Sequence, residues 1–226
     1  MNEPKLRHEI KHGINCMDRM LLQQRLKAVA KRDANVDASG KYRIRSLYFD
    51  NFDDKALREK LNGLNNREKF RIRYYNDDYS YINLEKKRRI NGLCSKKSVR
   101  LTREQCENII AGDIEWMRHS LEPLLLELYI KMNCQQLKPK TLVDYTREPF
   151  VFEPGNVRIT IDTDIKTGLN SKDLFNQDLA AMKASPNIIL EVKYDEFLPG
   201  IIRDMVQTGS RQGTAFSKYA AARVYG

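Results

Sequence analysis

Alternation of charged and apolar side chains between Lys69 and Tyr74 is the feature that most constrains the fold. The order is Lys69-Phe70-Arg71-Ile72-Arg73-Tyr74. Because successive side chains of a β-strand point to opposite faces, this order predicts a strand with one cationic and one apolar face. The segment from Arg67 to Arg103 carries twelve Lys or Arg against four Asp or Glu. A solvated face normally mixes both signs of charge, so a face of one sign indicates a ligand with many negative charges.

Length and charge limit the classes of protein that fit. A chain of 226 residues with 41% hydrophobic residues can bury a core, and we expect a single domain over residues 1–226. The net charge of +10 indicates nucleic acid, membrane headgroups or a phosphate-rich small molecule as partner. Nucleic-acid surfaces usually combine exposed basic residues with stacking aromatic rings. Here the basic residues lie on strands whose other side is apolar, so we expect no specific nucleic-acid partner.

Cysteines and the first residues bear on the compartment. The four cysteines are widely separated and lack metal-ligand spacing, which favours reduced cytosolic thiols. Met1 leads directly into Glu3 and Lys5 without an apolar segment, so we expect no signal peptide. The longest apolar run is too short to cross a bilayer. We therefore predict a cytoplasmic protein without a membrane segment in this chain; its partner proteins are unknown.

Alternation and turn signals predict eight strands. They are Leu6–Ile14, Tyr42–Asp50, Glu68–Tyr75, Tyr81–Arg88, Ser95–Leu101, Lys140–Val151, Val157–Asp164 and Asn187–Asp195. Period-3.6 patterns and capping residues predict helices between and after the strands. The first predicted helix has Asp18 as its N-cap. The others are Asp54–Leu61, Thr102–Ala111, Glu122–Gln136, a helix from Pro199 to about Gly209, and Ser217–Tyr225.

Each predicted strand carries ionisable side chains on one face. The sets are Arg7/Glu9/Lys11, Arg43/Arg45, Lys69/Arg71/Arg73, Glu85/Lys87, Lys97, Arg147, Arg158/Asp162 and Glu191/Lys193. In an open sheet that face would be exposed to solvent. In a closed barrel the charged side chains would surround a lumen that holds side chains or one small ligand. A few carboxylates among many cations suit a complex of phosphate with Mg²⁺ or Mn²⁺. We predict an α+β fold with an eight-stranded antiparallel closed β-barrel and flanking helices; the open sheet is the alternative.

Several short motifs, in this order and spacing, resemble the VTC domain, which is the polyphosphate polymerase domain of the triphosphate tunnel metalloenzyme (CYTH-like) superfamily. The resemblance runs from about Lys5 to Tyr225. The motifs are Arg7-His8-Glu9-Ile10-Lys11, Ser46-Leu47-Tyr48-Phe49-Asp50-Asn51, Lys69-Phe70-Arg71-Ile72-Arg73, Leu84-Glu85-Lys86-Lys87, Lys97-Ser98-Val99, Val143-Asp144-Tyr145-Thr146-Arg147, Ile189-Leu190-Glu191-Val192-Lys193 and Phe216-Ser217-Lys218-Tyr219.

What the resemblance implies is a tunnel in which basic residues bind ATP and inorganic polyphosphate or pyrophosphate. The implied catalytic residues are Lys218, Arg71 and Arg73. Further phosphate-binding residues implied are Lys11, Arg45, Lys87, Lys97, Arg147, Arg158, Lys193 and Ser217. Glu191 is the implied ligand of Mn²⁺ or Mg²⁺. Glu9 is a second candidate metal ligand, and pairing with a neighbouring cation is the alternative role for it. The reaction implied is transfer of the ATP γ-phosphate to a growing polyphosphate chain.

One position departs from the superfamily pattern. The signature Glu-x-Glu-x-Lys has Arg7 in place of its first glutamate. Two carboxylates help to hold the metals that activate water in the triphosphatases, so this replacement weakens the hydrolase interpretation. Three functions remain open: polyphosphate synthesis, hydrolysis of ATP or another organic triphosphate, and non-catalytic polyanion binding.

Overall fold

A computed structural model describes residues 6–179, 181–209 and 213–224 of the chain. Eight long strands and two two-residue strands form one antiparallel sheet in these residues. The strands are β1 (His8–Ile14), β2 (Lys31–Arg32), β3 (Tyr42–Asp50), β4 (Arg67–Tyr75), β5 (Asp78–Ile90), β6 (Leu93–Leu101), β7 (Lys138–Phe152), β8 (Val157–Thr167), β9 (Met182–Lys183) and β10 (Ile188–Tyr194). The eight predicted strands are therefore confirmed, whereas β2 and β9 are too short to show any periodicity.

Six α-helices lie between and after the strands in the described part of the chain. They are α1 (Cys16–Val29), α2 (Lys55–Leu61), α3 (Arg103–Ala111), α4 (Pro123–Cys134), α5 (Gly200–Met205) and α6 (Lys218–Val224). The predicted N-cap of α1 is wrong: Asn15 is the N-cap, and Asp18 is its partner in a capping box. The predicted end of the last helix at Tyr225 lies outside the described residues.

The sheet is curled but not closed. Its strand order is β1-β10-β8-β7-β3-β4-β5-β6, with β2 and β9 attached to β7 and β8. Among the described residues, one isolated bridge joins the two edges of the sheet, between Arg7 and Cys94, whose backbones exchange hydrogen bonds of 3.0 and 2.9 Å. Arg7 lies just before β1 and Cys94 just after the turn at Asn91-Gly92, and β1 and β6 are not paired as neighbouring strands in the described residues. The prediction of a closed barrel is therefore wrong, and the sheet is an open half-barrel.

Apolar side chains pack mainly on the convex side of the half-barrel. One cluster, which includes Leu47, Ile72 and Leu84, packs with residues of α3 and α4. A second cluster joins the sheet to α1 and α5. Because the helices cover the apolar face, the charged face of the strands is turned to the concave side. Among the described residues, none of the helices has the length and apolar character needed to span a membrane.

Helix α6 packs inside the concave side. Tyr219 and Ala222 of this helix lie in a buried cluster with Tyr48 and Tyr145. The Tyr219 hydroxyl donates a hydrogen bond of 2.5 Å to Asp50 at the end of β3. The helix thereby fills one part of the concavity and leaves the charged part open.

Candidate functional site

The open part of the concavity is a cavity of about 750 Å³. Its lining includes fifteen Lys or Arg and only four Glu among the described residues. Most of these side chains come from facing strands, at alternate positions, as the alternation predicted. A cavity with such an excess of positive charge is suited to a ligand with many negative charges.

Arg71 and Arg73 of β4 lie deep in the cavity, 4% and 3% exposed. The Arg71 guanidinium contacts Glu85 of β5 at 2.5 Å and donates to the Tyr48 hydroxyl at 2.9 Å. Arg73 donates to the hydroxyls of Ser46 and Tyr145, both at 2.9 Å. These contacts fix both guanidinium groups, although only Arg71 has a carboxylate partner among them.

Two glutamates and two lysines form a compact cluster where β1 pairs with β10. Lys11 contacts Glu9 at 2.7 Å and Glu191 at 3.3 Å. Lys193 contacts the same two carboxylates at 3.3 and 2.9 Å. Burial alone would raise the pKa of Glu191, but the charges of Lys193 and Lys11 outweigh burial and hold this pKa well below its usual value. The pKa of Glu9 is lowered for the same reason, so both carboxylates are ionised at neutral pH.

Glu9 and Glu191 are the carboxylates that could hold a divalent cation. Carboxylate oxygen is the ligand type that Mg²⁺ and Mn²⁺ prefer. No group of three or more His, Cys, Asp or Glu with the arrangement of a metal site occurs within the described residues. Mg²⁺ commonly takes one or two protein carboxylates and completes its shell with phosphate oxygens and water. The donor set therefore fits a cation that arrives with a phosphate ligand.

Lys218 and Arg147 share one buried carboxylate. Arg147 donates two hydrogen bonds to Asp162, of 2.7 and 2.8 Å. The ammonium group of Lys218 lies 2.5 Å from Oδ2 of Asp162, which also accepts one of the hydrogen bonds from Arg147, and 4.7 Å from the ring centre of Tyr145. Burial tends to raise the pKa of Asp162, but Arg147 and Lys218 lower it. Ser217, immediately before α6, accepts a hydrogen bond from the backbone N–H of Ala220.

Arg158 and Thr160 of β8 also line the cavity. Arg158 contacts Asp33 at 2.7 Å and donates to the Tyr42 hydroxyl at 2.9 Å. The Oγ1 atom of Thr160 is buried and has no hydrogen-bond partner among the described residues. Because a buried hydroxyl normally has a partner, Thr160 is available to a ligand oxygen.

Lys69 and Lys87 face each other across β4 and β5 and both line the cavity. Neither has an ion-pair partner among the described residues; the Lys69 ammonium lies 3.5 Å from the Ser217 hydroxyl. Burial lowers the pKa of Lys69 to about 8. The pKa of Lys87 is well below its usual value, chiefly because Lys193 is close and also because of burial. Both lysines lack the negative charge that an anionic ligand would provide.

Arg45 and Lys97 do not line the cavity, contrary to the roles that the resemblance implied. Arg45 is directly opposite Tyr74 and Asp144 in the sheet, and therefore lies on the convex face. Its guanidinium contacts Asp144 at 2.8 Å and also donates to the carbonyl of Leu174. Lys97 is exposed and directly opposite Lys86, again on the convex side.

Lys96, not Lys97, lines the cavity, and its ammonium group lies 3.2 Å from Glu85. The signal for this was present in the sequence. A two-residue turn at Asn91-Gly92 makes Ile90 and Leu93 opposite each other, which places Lys96 opposite Lys87. Directly opposite residues share a face, so the hairpin register identifies Lys96.

Other side chains of the site were not among the expected ligands. Lys69, Glu85 and Asp162 follow from the same alternation that identified the expected ligands of their strands, since Lys69 and Glu85 lie two residues, and Asp162 four residues, from one of those ligands. Tyr48, Tyr145 and Thr160 carry no positive charge, so a search of the sequence for phosphate-binding cations does not identify them. Their places in the cavity depend on how the strands are arranged.

The family model of the VTC domain matches residues 6–225. The match spans nearly the whole chain, so the protein belongs to the VTC domain family, and the resemblance of its motifs is confirmed. A search of curated proteins finds no match.

Solved structures that are similar to this chain share little sequence identity with it. A candidate adenylyl cyclase from Hippeastrum, described as having a dominant triphosphatase activity, is 12% identical, with 98% of this chain and 96% of that chain covered and a TM-score of 0.54. A candidate adenylate cyclase from Bacillus halodurans is 12% identical, with 84% and 80% covered and a TM-score of 0.48. The capping enzyme triphosphatase of Mimivirus is 12% identical, with 92% of each chain covered and a TM-score of 0.42. The first of these similarities establishes the fold alone.

Proposed function

We propose that the protein is a polyphosphate polymerase that transfers the γ-phosphoryl group of ATP to the end of an inorganic polyphosphate chain. The observation that carries this proposal is the cavity lined by fifteen cations and four carboxylates. Membership of the VTC domain family and the motifs that resemble its polymerase members support the same function.

Phosphoryl transfer requires positioning and neutralisation of charge more than covalent chemistry from the protein. A terminal phosphate oxygen of the chain forms a bond to the γ-phosphorus, and the bond from that phosphorus to the β–γ bridging oxygen breaks, which releases ADP. Arg71 and Arg73 hold phosphate oxygens, since guanidinium matches phosphate with two hydrogen bonds. Lys218, whose ammonium group contacts Asp162, stabilises negative charge on the phosphoryl group during transfer.

A divalent cation, held by Glu191 and Glu9, would offset negative charge on the phosphate oxygens. The protein's part is to keep both carboxylates ionised, which Lys11 and Lys193 do. Lys11 and Lys193, which now contact these carboxylates, would contact phosphate oxygens once the carboxylates hold the cation. The preference between Mn²⁺ and Mg²⁺ is a separate question for titration with each metal.

Hydrolysis of ATP or another organic triphosphate is the second candidate, because the Hippeastrum protein with this fold is described as a triphosphatase. Two features of the site favour the polymerase. Arg7, just before β1, stands where the superfamily signature has a glutamate, and it contacts Asp195 at 2.9 Å. Glu9 and Glu191 each contact two lysines, which lowers their pKa and makes them weak bases for water.

The test is incubation of the protein with γ-labelled ATP and Mn²⁺, followed by separation of the products. Labelled products with more linked phosphate units than ATP would support the polymerase. Free orthophosphate without chains would identify a triphosphatase and overturn the proposal. Unchanged ATP, together with measurable binding of polyphosphate, would identify a non-catalytic binding module. Because the expected partners are ATP and inorganic polyphosphate or pyrophosphate, the assay is run with and without pyrophosphate as acceptor.

A further inference from the structure

Like charges lie directly opposite each other at two neighbouring positions on one face of the β4–β5 ladder. Arg67 is opposite Arg89, and Lys69 is opposite Lys87. On the same face, the next rung inward has opposite charges, because Arg71 is opposite Glu85; Glu68 and Arg88, which also have opposite charges, lie between the first two rungs and point to the other face. Side chains directly opposite in an antiparallel pair are about 5 Å apart at Cβ, and like charges at that distance are destabilising. The outer two rungs therefore work against the stability of the unliganded sheet.

Helix α2 adds a third cation to the outermost rung. Lys60 of this helix lines the cavity together with Arg67 and Arg89, and we call these three residues the rim cluster. Burial lowers the pKa of Lys60, and the charges of Arg67 and Arg89 add to that effect. The pKa of Arg67 is also lowered, by burial first and by Arg89 second.

The rim cluster has no internal counterion among the described residues. Glu59 and Glu9 raise the pKa of Arg67 slightly against the other effects, but neither makes an ion pair with it. Glu59 contacts Lys55 instead, at 3.9 Å, and Glu9 contacts Lys11 and Lys193. A cluster of cations that repel one another and have no carboxylate attracts an anion and is stabilised when one binds.

The distance along β4 indicates the kind of anion. Arg71, Lys69 and Arg67 follow at every second residue on one face, so the run from the innermost to the outermost spans roughly 13 Å of strand. A single phosphate group cannot reach all three rungs. A chain of linked phosphates can, since it presents negative charge at each unit.

We propose that the rim cluster binds the part of an inorganic polyphosphate chain that extends outward from the phosphate groups held by Arg71 and Arg73. This inference rests on the proposed function and adds a subsite to it. The rim cluster then sets the affinity for long chains, and the length to which products grow before release, without affecting the binding of a triphosphate deeper in the cavity.

The experiment compares Arg67→Gln/Arg89→Gln with wild type for the Kd of tripolyphosphate and of long-chain polyphosphate, without metal. The charge-matched control is Lys172→Gln/Lys183→Gln, which removes two exposed charges outside the cavity. The Kd for the long chain is expected to rise about tenfold or more in the rim variant, with a shallower dependence on salt, because two phosphate contacts are lost. The Kd for tripolyphosphate is expected to stay within about twofold.

Folding of the rim variant is checked by thermal unfolding, and its Tm should not fall because like charges have been removed. Lys60→Gln, a single change on α2, is the second variant and should weaken long-chain binding in the same direction. If wild type binds both ligands and the rim variants bind the long chain equally well, the subsite is overturned while the proposed function stands. The subsite would also be overturned if the rim variant lost affinity for tripolyphosphate to the same extent, or if the control variant lost the same affinity for the long chain. Failure of wild type to bind either ligand would overturn the proposed function and the subsite with it.

Discussion

At the scale of single residues, the site is organised by which cations have a carboxylate and which do not. Lys218 and Arg147 share Asp162, and Arg71 has Glu85. Lys69 has no carboxylate partner among the described residues. Cations held by a carboxylate are fixed in place before a ligand arrives, whereas Lys69 depends on the ligand for its counterion. The two kinds of residue should therefore respond differently to substitution and to pH.

Lys218→Ala should remove most of the synthetic activity. We expect the rate of chain formation to fall by about a hundredfold or more, since a positioned charge near the transferring group contributes that much to many reactions. Affinity for ATP should change by less than about tenfold, because many other cations of the cavity remain. The chain should stay folded, since Asp162 keeps both hydrogen bonds from Arg147.

The measurement is single-turnover product formation alongside ATP binding by calorimetry, with Lys172→Ala as a variant that changes an exposed lysine outside the cavity. Equal rates in Lys218→Ala and wild type would show that Lys218 takes no part in the transfer.

Binding of tripolyphosphate should weaken as pH rises from 7 to 9. The pKa of Lys69 is lowered to about 8 by burial, with Lys11 and Arg71 adding to the effect, so its positive charge is lost across this range. The pKa of Tyr48 is about 7, because Arg71 and Lys69 outweigh the effect of burial, and its phenolate would repel phosphate at higher pH. Both changes act in the same direction, and each can contribute up to about tenfold in Kd.

Lys69→Met and Tyr48→Phe should each flatten part of the pH profile when Kd is measured across the range without metal. An unaltered profile in the double variant would assign the pH dependence to other groups.

At the scale of elements, the strands have two faces with separate tasks. The concave face of β4 and β7 carries the phosphate-binding candidates, while the convex face holds helices and the segment that follows β8. Arg45 lies on the convex face, where its guanidinium contacts Asp144 and carbonyl oxygens of the segment around Leu174. Tyr74 donates to the carbonyl of Leu174 as well, at 2.9 Å. Arg45 therefore anchors a surface segment and does not touch the cavity.

Arg45→Met should reduce stability and leave phosphate binding unchanged. Removal of one partner of a largely buried ion pair costs about 3 kcal/mol, because the other charge stays buried without a partner. Arg43→Met on the same face of the strand is the matched comparison, since its side chain is 47% exposed and contacts Asp77. That variant should lose less than about 1 kcal/mol.

Urea unfolding gives both free energies, and the Kd for tripolyphosphate is measured on each variant. A large loss of phosphate affinity in Arg45→Met, with stability intact, would return Arg45 to the site.

At the scale of the whole molecule, the half-barrel gathers charge that would be scattered on an open surface. Helices cover the apolar side and α6 fills part of the concavity, so fifteen cations line a space of about 750 Å³. Mutual repulsion of these charges opposes folding and is relieved by an anionic ligand. Ligand binding and stability should therefore be closely coupled.

Tripolyphosphate should raise the Tm of the protein. Saturation at a hundred times Kd contributes about 2.7 kcal/mol, which corresponds to roughly 5–10 °C for a chain of this size. The increase should shrink at high salt, since the contacts are between charges and phosphate. Thermal scans with and without ligand at low and high salt provide the measurement; an increase that is equal at both salt concentrations would contradict an electrostatic origin.

Much of the architecture was predictable because it depends on local rules. Alternation identified all eight long strands, and the turn at Asn91-Gly92 identified one hairpin. The same alternation places Lys11, Arg71, Arg73, Lys87, Arg147, Arg158, Glu191 and Lys193 on the cavity side. Which of these bind phosphate or metal stays a prediction, and so does the single-domain organisation.

The sequence by itself determined which residues of a strand share a face, since that depends only on the two-residue repeat of the backbone. Tertiary structure decided which face is concave, because that depends on pairing between strands far apart in the chain. Arg45, for example, is directly opposite Tyr74 and Asp144 and therefore lies on the convex face. It also decided that the barrel stays open, since one isolated bridge, between Arg7 and Cys94, joins the two edges within the described part of the chain. Local alternation contains no information about either, because both arise from contacts between strands distant in sequence.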